Sequence, residues 1–169
     1  MDVVKLQIPL EFVARRARIG WQEIGFGIEH ELLEPSAPVA HAASEVARQE
    51  TPSGTLTDLA ESSRSESTSR LVQLLAASEP RLSEDAIRRK WLFIVLAWLY
   101  ERRAEIEDPL GVVELVYADF GYPEEIASFV RYMPMVGRDL GSVRANEDRL
   151  LNRWKEFVEC EERKYAPSQ

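Results

Sequence analysis

Apolar residues recur along this chain mostly at spacings of three and four, the repeat of a helix with one buried face. The start is the exception. Val4, Leu6, Ile8 and Leu10 alternate with Lys5, Gln7 and Pro9, which predicts a short extended lead-in. No other stretch offers a matching strand, so this lead-in is expected to pack on helices. A first helix begins near Pro9 and runs through Phe12 and Val13 to Arg18, with Gly20 ending it. Trp21, Ile24, Ile28 and Leu32 form the stripe of a second helix, with Glu23, Glu29 and Glu31 off the stripe and Pro35 as its stop. An Ala-rich helix covers Pro38 to Gln49.

Between Thr51 and Arg70, ten of twenty residues are Ser or Thr. Such side chains compete for backbone hydrogen bonds, so this stretch predicts a surface connection with a short helix around Leu56 to Ala60. Helix resumes before Leu71, Leu74 and Leu75 and ends near Pro80. Ser83 then caps a helix reaching about Ala104, with Glu84 and Asp85 at its positive end. Its middle, Trp91 to Tyr100, is apolar for ten residues. A membrane span needs about 20, so this is a core helix. Asp108-Pro109 opens another helix carrying Leu110, Val113, Val116, Tyr117 and Phe120, closed by a left-handed Gly121. Pro123 starts a short helix with Ile126, Phe129, Val130 and Met133 on one face, ended by Pro134. The last helix runs from about Asn146 to Lys164 on Leu150, Leu151, Trp154, Phe157 and Val158. The expected architecture is all-α: one domain over residues 1–169, a bundle or orthogonal array of about seven or eight helices, with 51–70 as a surface connection.

Charge narrows the partners. The chain carries 21 basic and 29 acidic residues, a net charge of −8. Residues 21–80 hold three basic against ten acidic residues. Such a surface repels nucleic acid and anionic membranes and attracts a basic protein. Cys160 is the only cysteine, which excludes an internal disulfide. That usage, with a start lacking the basic and apolar segments of a secretion signal, gives a cytoplasmic protein as the expectation.

Candidate chemistry is sparse. His30-Glu31-Leu32-Leu33-Glu34 resembles half of a zinc-protease pattern, but a glutamate stands where the second histidine belongs and only His41 remains as a nitrogen donor. Two polar residues beside a leucine pair explain it, and neither a metal nor a cofactor is expected. Cys160 sits among Glu159, Glu161 and Glu162, surroundings that disfavour a thiolate. No Gly-rich phosphate loop occurs. The most distinctive stretch joins Tyr117 to Pro134 around the Gly121 turn. Its plain reading is a helix–turn–helix joint with aromatic packing; its functional reading clusters Asp119, Tyr122, Glu125, Arg131 and Tyr132 as a recognition surface. Tyr122-Pro123 can adopt either peptide isomer.

Tyr-Ala-Asp-Phe-Gly-Tyr-Pro-Glu-Glu-Ile at 117–126 and Phe-Val-Arg-Tyr-Met-Pro at 129–134 carry a resemblance. Together with Ile8 to Phe12, Lys90-Trp91, Trp98 to Tyr100, Asp108 to Leu110 and Val113-Glu114, they resemble an uncharacterised bacterial family, the domain of unknown function 2247. The resemblance implies a bacterial protein and supplies no catalytic or binding residue. The leading expectation is therefore a non-catalytic protein that binds a basic partner, with an immunity-type masking of a toxin as one version. The rivals are an enzyme built from Glu114, Asp119 or Glu125 in a deep pocket, and a homo-oligomer packed across a two-fold axis.

Overall fold

Helix α6 (Glu84–Glu101) buries Trp91 to Ala97 and Leu99, and the other elements wrap around it. Each large apolar side chain hidden there contributes roughly 1.5–3 kcal/mol. The computed structural model of the protein describes residues 6–63 and 65–167. Over these it is all-α, and the expected fold class holds: α1 (Leu10–Arg16), α2 (Trp21–Glu29), α3 (Ala37–Arg48), α4 (Gly54–Ala60), α5 (Ser65–Ser78), α6, α7 (Pro109–Asp119) and α8 (Val143–Tyr165). Short 3-10 turns lie at Arg103–Glu105 and Glu124–Phe129. One buried apolar cluster runs from Ile8 to Val158 and draws on all eight helices. Val4 and Lys5 of the expected lead-in lie outside the described residues.

Two tryptophan indoles fix the layers. Trp91 Nε1 donates to the Glu23 carbonyl at 2.8 Å, tying α6 to α2. Trp154 Nε1 donates to the Leu96 carbonyl at 3.1 Å, tying α8 to α6. Buried indole N–H groups need such partners. Gly27 lets α2 approach closely, because a Cβ there would lie 2.2 Å from Trp91 Cζ2.

The predicted caps form at Ser83, whose hydroxyl accepts from Ala86 N, and at Asp108, which accepts from Gly111 N. The structure revises the reading elsewhere. Helix α2 stops at Glu29, short of Leu32. Glu31 takes a left-handed φ of 53°, and the amides of Leu32 and Leu33 both return to the Gly27 carbonyl. The chain then extends, and Ile8 and Leu33 form a parallel bridge, with Ile8 N to Leu32 O at 2.8 Å and Glu34 N to Ile8 O at 3.0 Å. Leaving the helix buries Leu32 and Leu33 together, which a single helical stripe cannot do. The Ser/Thr-rich stretch also carries more helix than expected. Helix α4 ends at Ala60 and α5 already begins at Ser65, because Ser53 caps α4 and Leu56, Leu59, Val72 and Leu75 reach the core. Burial outweighs the weak helix preference of serine and threonine. The segment after Pro123 is a 3-10 turn ending at Phe129, and α8 begins at Val143 because Ser142 caps it.

Part of the acidity of residues 21–80 is internal. Glu79 accepts from the Trp21 and Gln22 amides at 2.9 and 3.2 Å, capping α2 from a distance of 58 residues. Glu34 accepts from Leu10 N at 2.9 Å. Glu23, 3% exposed, accepts from Gly20 N at 2.6 Å and pairs with Lys90. These three carboxylates hold unpaired helix-end amides.

Candidate functional site

The Tyr117–Pro134 stretch is built on α7 and on the turn after it. Gly121 has φ +78° and Tyr122 has φ +60°, two left-handed residues in succession. The first is the glycine position foreseen from sequence. The second strains a side-chain-bearing residue, a conformation that persists only where its surroundings hold it. Here Tyr122 N donates to the Tyr117 carbonyl at 2.8 Å. The Tyr122–Pro123 bond is trans, since no described peptide bond is cis.

Tyr117 is buried and supports two exposed rings. Tyr122 meets it edge-on, with centroids 5.3 Å apart, and Tyr132 lies against it at 6.1 Å. Tyr122 and Tyr132 are 62% and 57% exposed. The Tyr117 hydroxyl donates to Met133 Sδ at 3.9 Å. Both exposed rings thus rest against a buried one while more than half of each residue remains in water.

Arg131 stands beside them. Its Nη1 and Nη2 donate to Asp108 Oδ1 and Oδ2 at 3.1 and 2.8 Å, a bidentate fork. Its Nε donates to Glu114 Oε1 at 3.1 Å, and Glu147 approaches at 3.7 Å. The hydrogen bond from Arg131, then that from Gly111 N, hold the Asp108 carboxyl below the usual carboxylate range. The hydrogen bond to Asp108, then that to Glu114, raise the pKa of the Arg131 guanidinium above its already high ordinary value. Asp108 therefore does two tasks, capping α7 and anchoring the chain after the 3-10 turn.

The five candidate residues divide. Tyr122, Arg131 and Tyr132 gather around Tyr117 and Asp108. Glu125 instead pairs with Arg89 at 2.8 Å, lining a separate cavity of about 250 Å³ with Arg88, Leu92, Phe120 and Pro123. Asp119, the last residue of α7, is half-buried and has no ion-pair partner among the described residues. Glu114 and Glu125 are each held by a different arginine, and of the three carboxylates of the enzyme reading Glu125 alone lines that cavity. His30 packs on Phe26 at 4.2 Å, and His41 stands edge-on to Trp21 at 4.9 Å. Among the described residues no cluster of three or more His, Cys, Asp or Glu could hold a metal.

A groove of about 390 Å³ continues the surface beyond Arg131, between residues 128–136 and the first turns of α8. Val130, Met133, Pro134, Met135, Val136, Val143 and Leu150 line it. The sequence reading missed it, and missed Asp108 and Glu147 as partners of Arg131. One signal was present: Met133, Met135, Val136, Leu140 and Val143 are apolar in a stretch with neither helical nor strand period.

No curated protein and no solved structure matches the chain. The family described as uncharacterized protein conserved in bacteria (DUF2247) matches residues 10–162, which span the whole of the site and nearly all of the fold. The chain belongs to that family.

Proposed function

We propose that this protein acts by binding another protein, with Tyr122 and Tyr132 as anchors and the carboxylates around them selecting a basic partner. The carrying observation is the pair of exposed rings on a buried third. Tyrosines are enriched where interfaces concentrate their binding energy, and rings already held in place lose little freedom on contact. From Glu105 to Val130 there are seven acidic residues and no lysine or arginine. Arg131 takes Asp108 and Glu114, and Arg89 takes Glu125. Glu105, Glu107, Asp119 and Glu124 have no cationic partner among the described residues, and three of these four are exposed. That local field supports a cationic partner and fast, salt-sensitive association.

An immunity-type role, masking a basic toxin, is the most concrete form of this reading. The continuous core supports treating residues 1–169 as one domain, in which 51–70 holds α4 and the start of α5 rather than a surface connection with one short helix. The free thiol of Cys160, exposed, agrees with a cytoplasmic setting. The test is capture from a native bacterial host by tagged wild type and by a Tyr122→Ala/Tyr132→Ala variant. The expected outcome is a stoichiometric basic protein retained by the wild type, released at high salt and lost with the variant. Equal retention by both would refute the anchor role, and an acidic or salt-indifferent partner would refute the charge selection.

A further inference from the structure

We infer that the groove beside Arg131 and the exposed start of α8 dock against the same surface of a second copy of this chain. The inference is independent of the tyrosine surface and does not use Tyr122 or Tyr132. Its first support is apolar exposure. Met135, Val136, Leu140 and Val143 are 51–74% exposed, and three of them line the groove. Water contact by four neighbouring apolar side chains marks a surface that another surface covers.

The second support identifies the occupant by charge. Arg138 and Arg144 have no side-chain partner among the described residues. Arg149 donates to the Arg138 carbonyl and to Asn146, and Arg153 to the carbonyls of Ser128 and Val136. Carbonyl and amide acceptors leave the charge of a guanidinium in place. Asp139 lies close enough to Arg149 to act on its charge, so three cations without a carboxylate partner among the described residues, Arg138, Arg144 and Arg153, stand beside the groove on a chain whose net charge is −8. Close to them stands a carboxylate in the same condition. Asp148 is exposed and unpaired, one helical turn from Arg144, and the two form no ion pair with each other.

A two-fold contact uses one patch twice, so that residue i meets residue j and j meets i. With α8 of one copy antiparallel to α8 of the other, the contact centres between positions 144 and 148. Arg144 of each copy then faces Asp148 of its partner, and Leu140 and Val143 of each close over the partner's groove. The patch thus supplies both halves of its own complement, apolar and charged, which a single-signed surface cannot do.

Sedimentation velocity of the full chain, from about 1 µM to about 1 mM, spans the affinities of modest interfaces and tests this. The expected result is a reversible dimer. Arg144→Asp and Asp148→Arg, each placing like charges opposite one another, weaken it about ten-fold. Mixing those two variants in equal amounts restores dimer, because each then presents the charge the other lacks, and the double variant restores it as well. Val143→Glu abolishes it. Val143 is 74% exposed and opens α8, so helical circular dichroism should stay unchanged in every variant. A chain that stays monomeric throughout, a dimer that survives Val143→Glu, or single variants that the mixture fails to rescue would each overturn the inference.

Discussion

Lys90 meets Glu23 inside the fold, whereas Arg131 meets Asp108 and Glu114 at its edge. Glu23 has a side chain 3% exposed, and one of its oxygens also serves the Gly20 amide at the start of α2. Removing Lys90 strands a buried carboxylate, and removing Glu23 leaves the Lys90 ammonium, 19% exposed, with only the Arg18 carbonyl and the Tyr165 ring, each a large penalty. Arg131 and Asp108 are 38% and 54% exposed, and water replaces whatever is lost. Such a cluster adds little to stability. What it supplies is position: it pins the chain after Val130 against α7 and keeps Tyr132 against Tyr117. One pair is buried within the fold, and the other lies at its surface beside the exposed tyrosines.

That contrast can be broken at its strong end first. Glu23→Ala should lower the unfolding free energy by about 3–5 kcal/mol in a denaturant titration. Glu23→Gln, which keeps an acceptor for Gly20 N, should cost less. A loss under about 1 kcal/mol for the alanine variant would place Glu23 in the same class as Arg131. Gly27→Ala comes next. Its Cβ would collide with the buried Trp91 ring, and overpacking of this kind costs about 1–3 kcal/mol.

At the weak end, Arg131→Ala should cost less than about 1 kcal/mol, while amide exchange accelerates through residues 131–142. Acid should show the same cluster. Because the folded-state pKa of Asp108 lies below its unfolded value, its contribution is full above about pH 4 and fades as pH falls through the folded value. Arg131→Ala should flatten that part of the stability curve. The smallest effect belongs to His41, whose burial against Trp21 lowers its pKa. The unfolded chain then takes up a proton near pH 6.5 before the folded one does, so a slight loss of stability begins as pH falls below that value. A proton NMR titration placing His41 at or above the free imidazole value would contradict this.

Local signals were legible in the sequence where a residue acts on its own neighbours. Ser83 and Asp108 cap the helices beside them, Gly121 takes the left-handed turn, and the run from Trp91 to Tyr100 is the core. What stayed hidden depends on distant partners. Glu79 reads as a charge at a helix end until the fold sets it on the amides of Trp21 and Gln22. Leu32 continues a helical stripe until its carbonyl accepts from Ile8 N. Arg131 and Tyr132 were legible as candidates, but their supports, Asp108 and Tyr117, lie 15 to 23 residues back. Glu125, next to Tyr122 in sequence terms, turns away to Arg89.

The central claim is that Tyr122 and Tyr132 are spare for folding and required for binding, and one paired measurement on the Tyr122→Ala/Tyr132→Ala variant tests it. Thermal unfolding should shift by no more than a few degrees, as for other exposed substitutions, while capture of the basic partner is lost. A variant that melts far earlier, or one that still holds the partner as the wild type does, would contradict it.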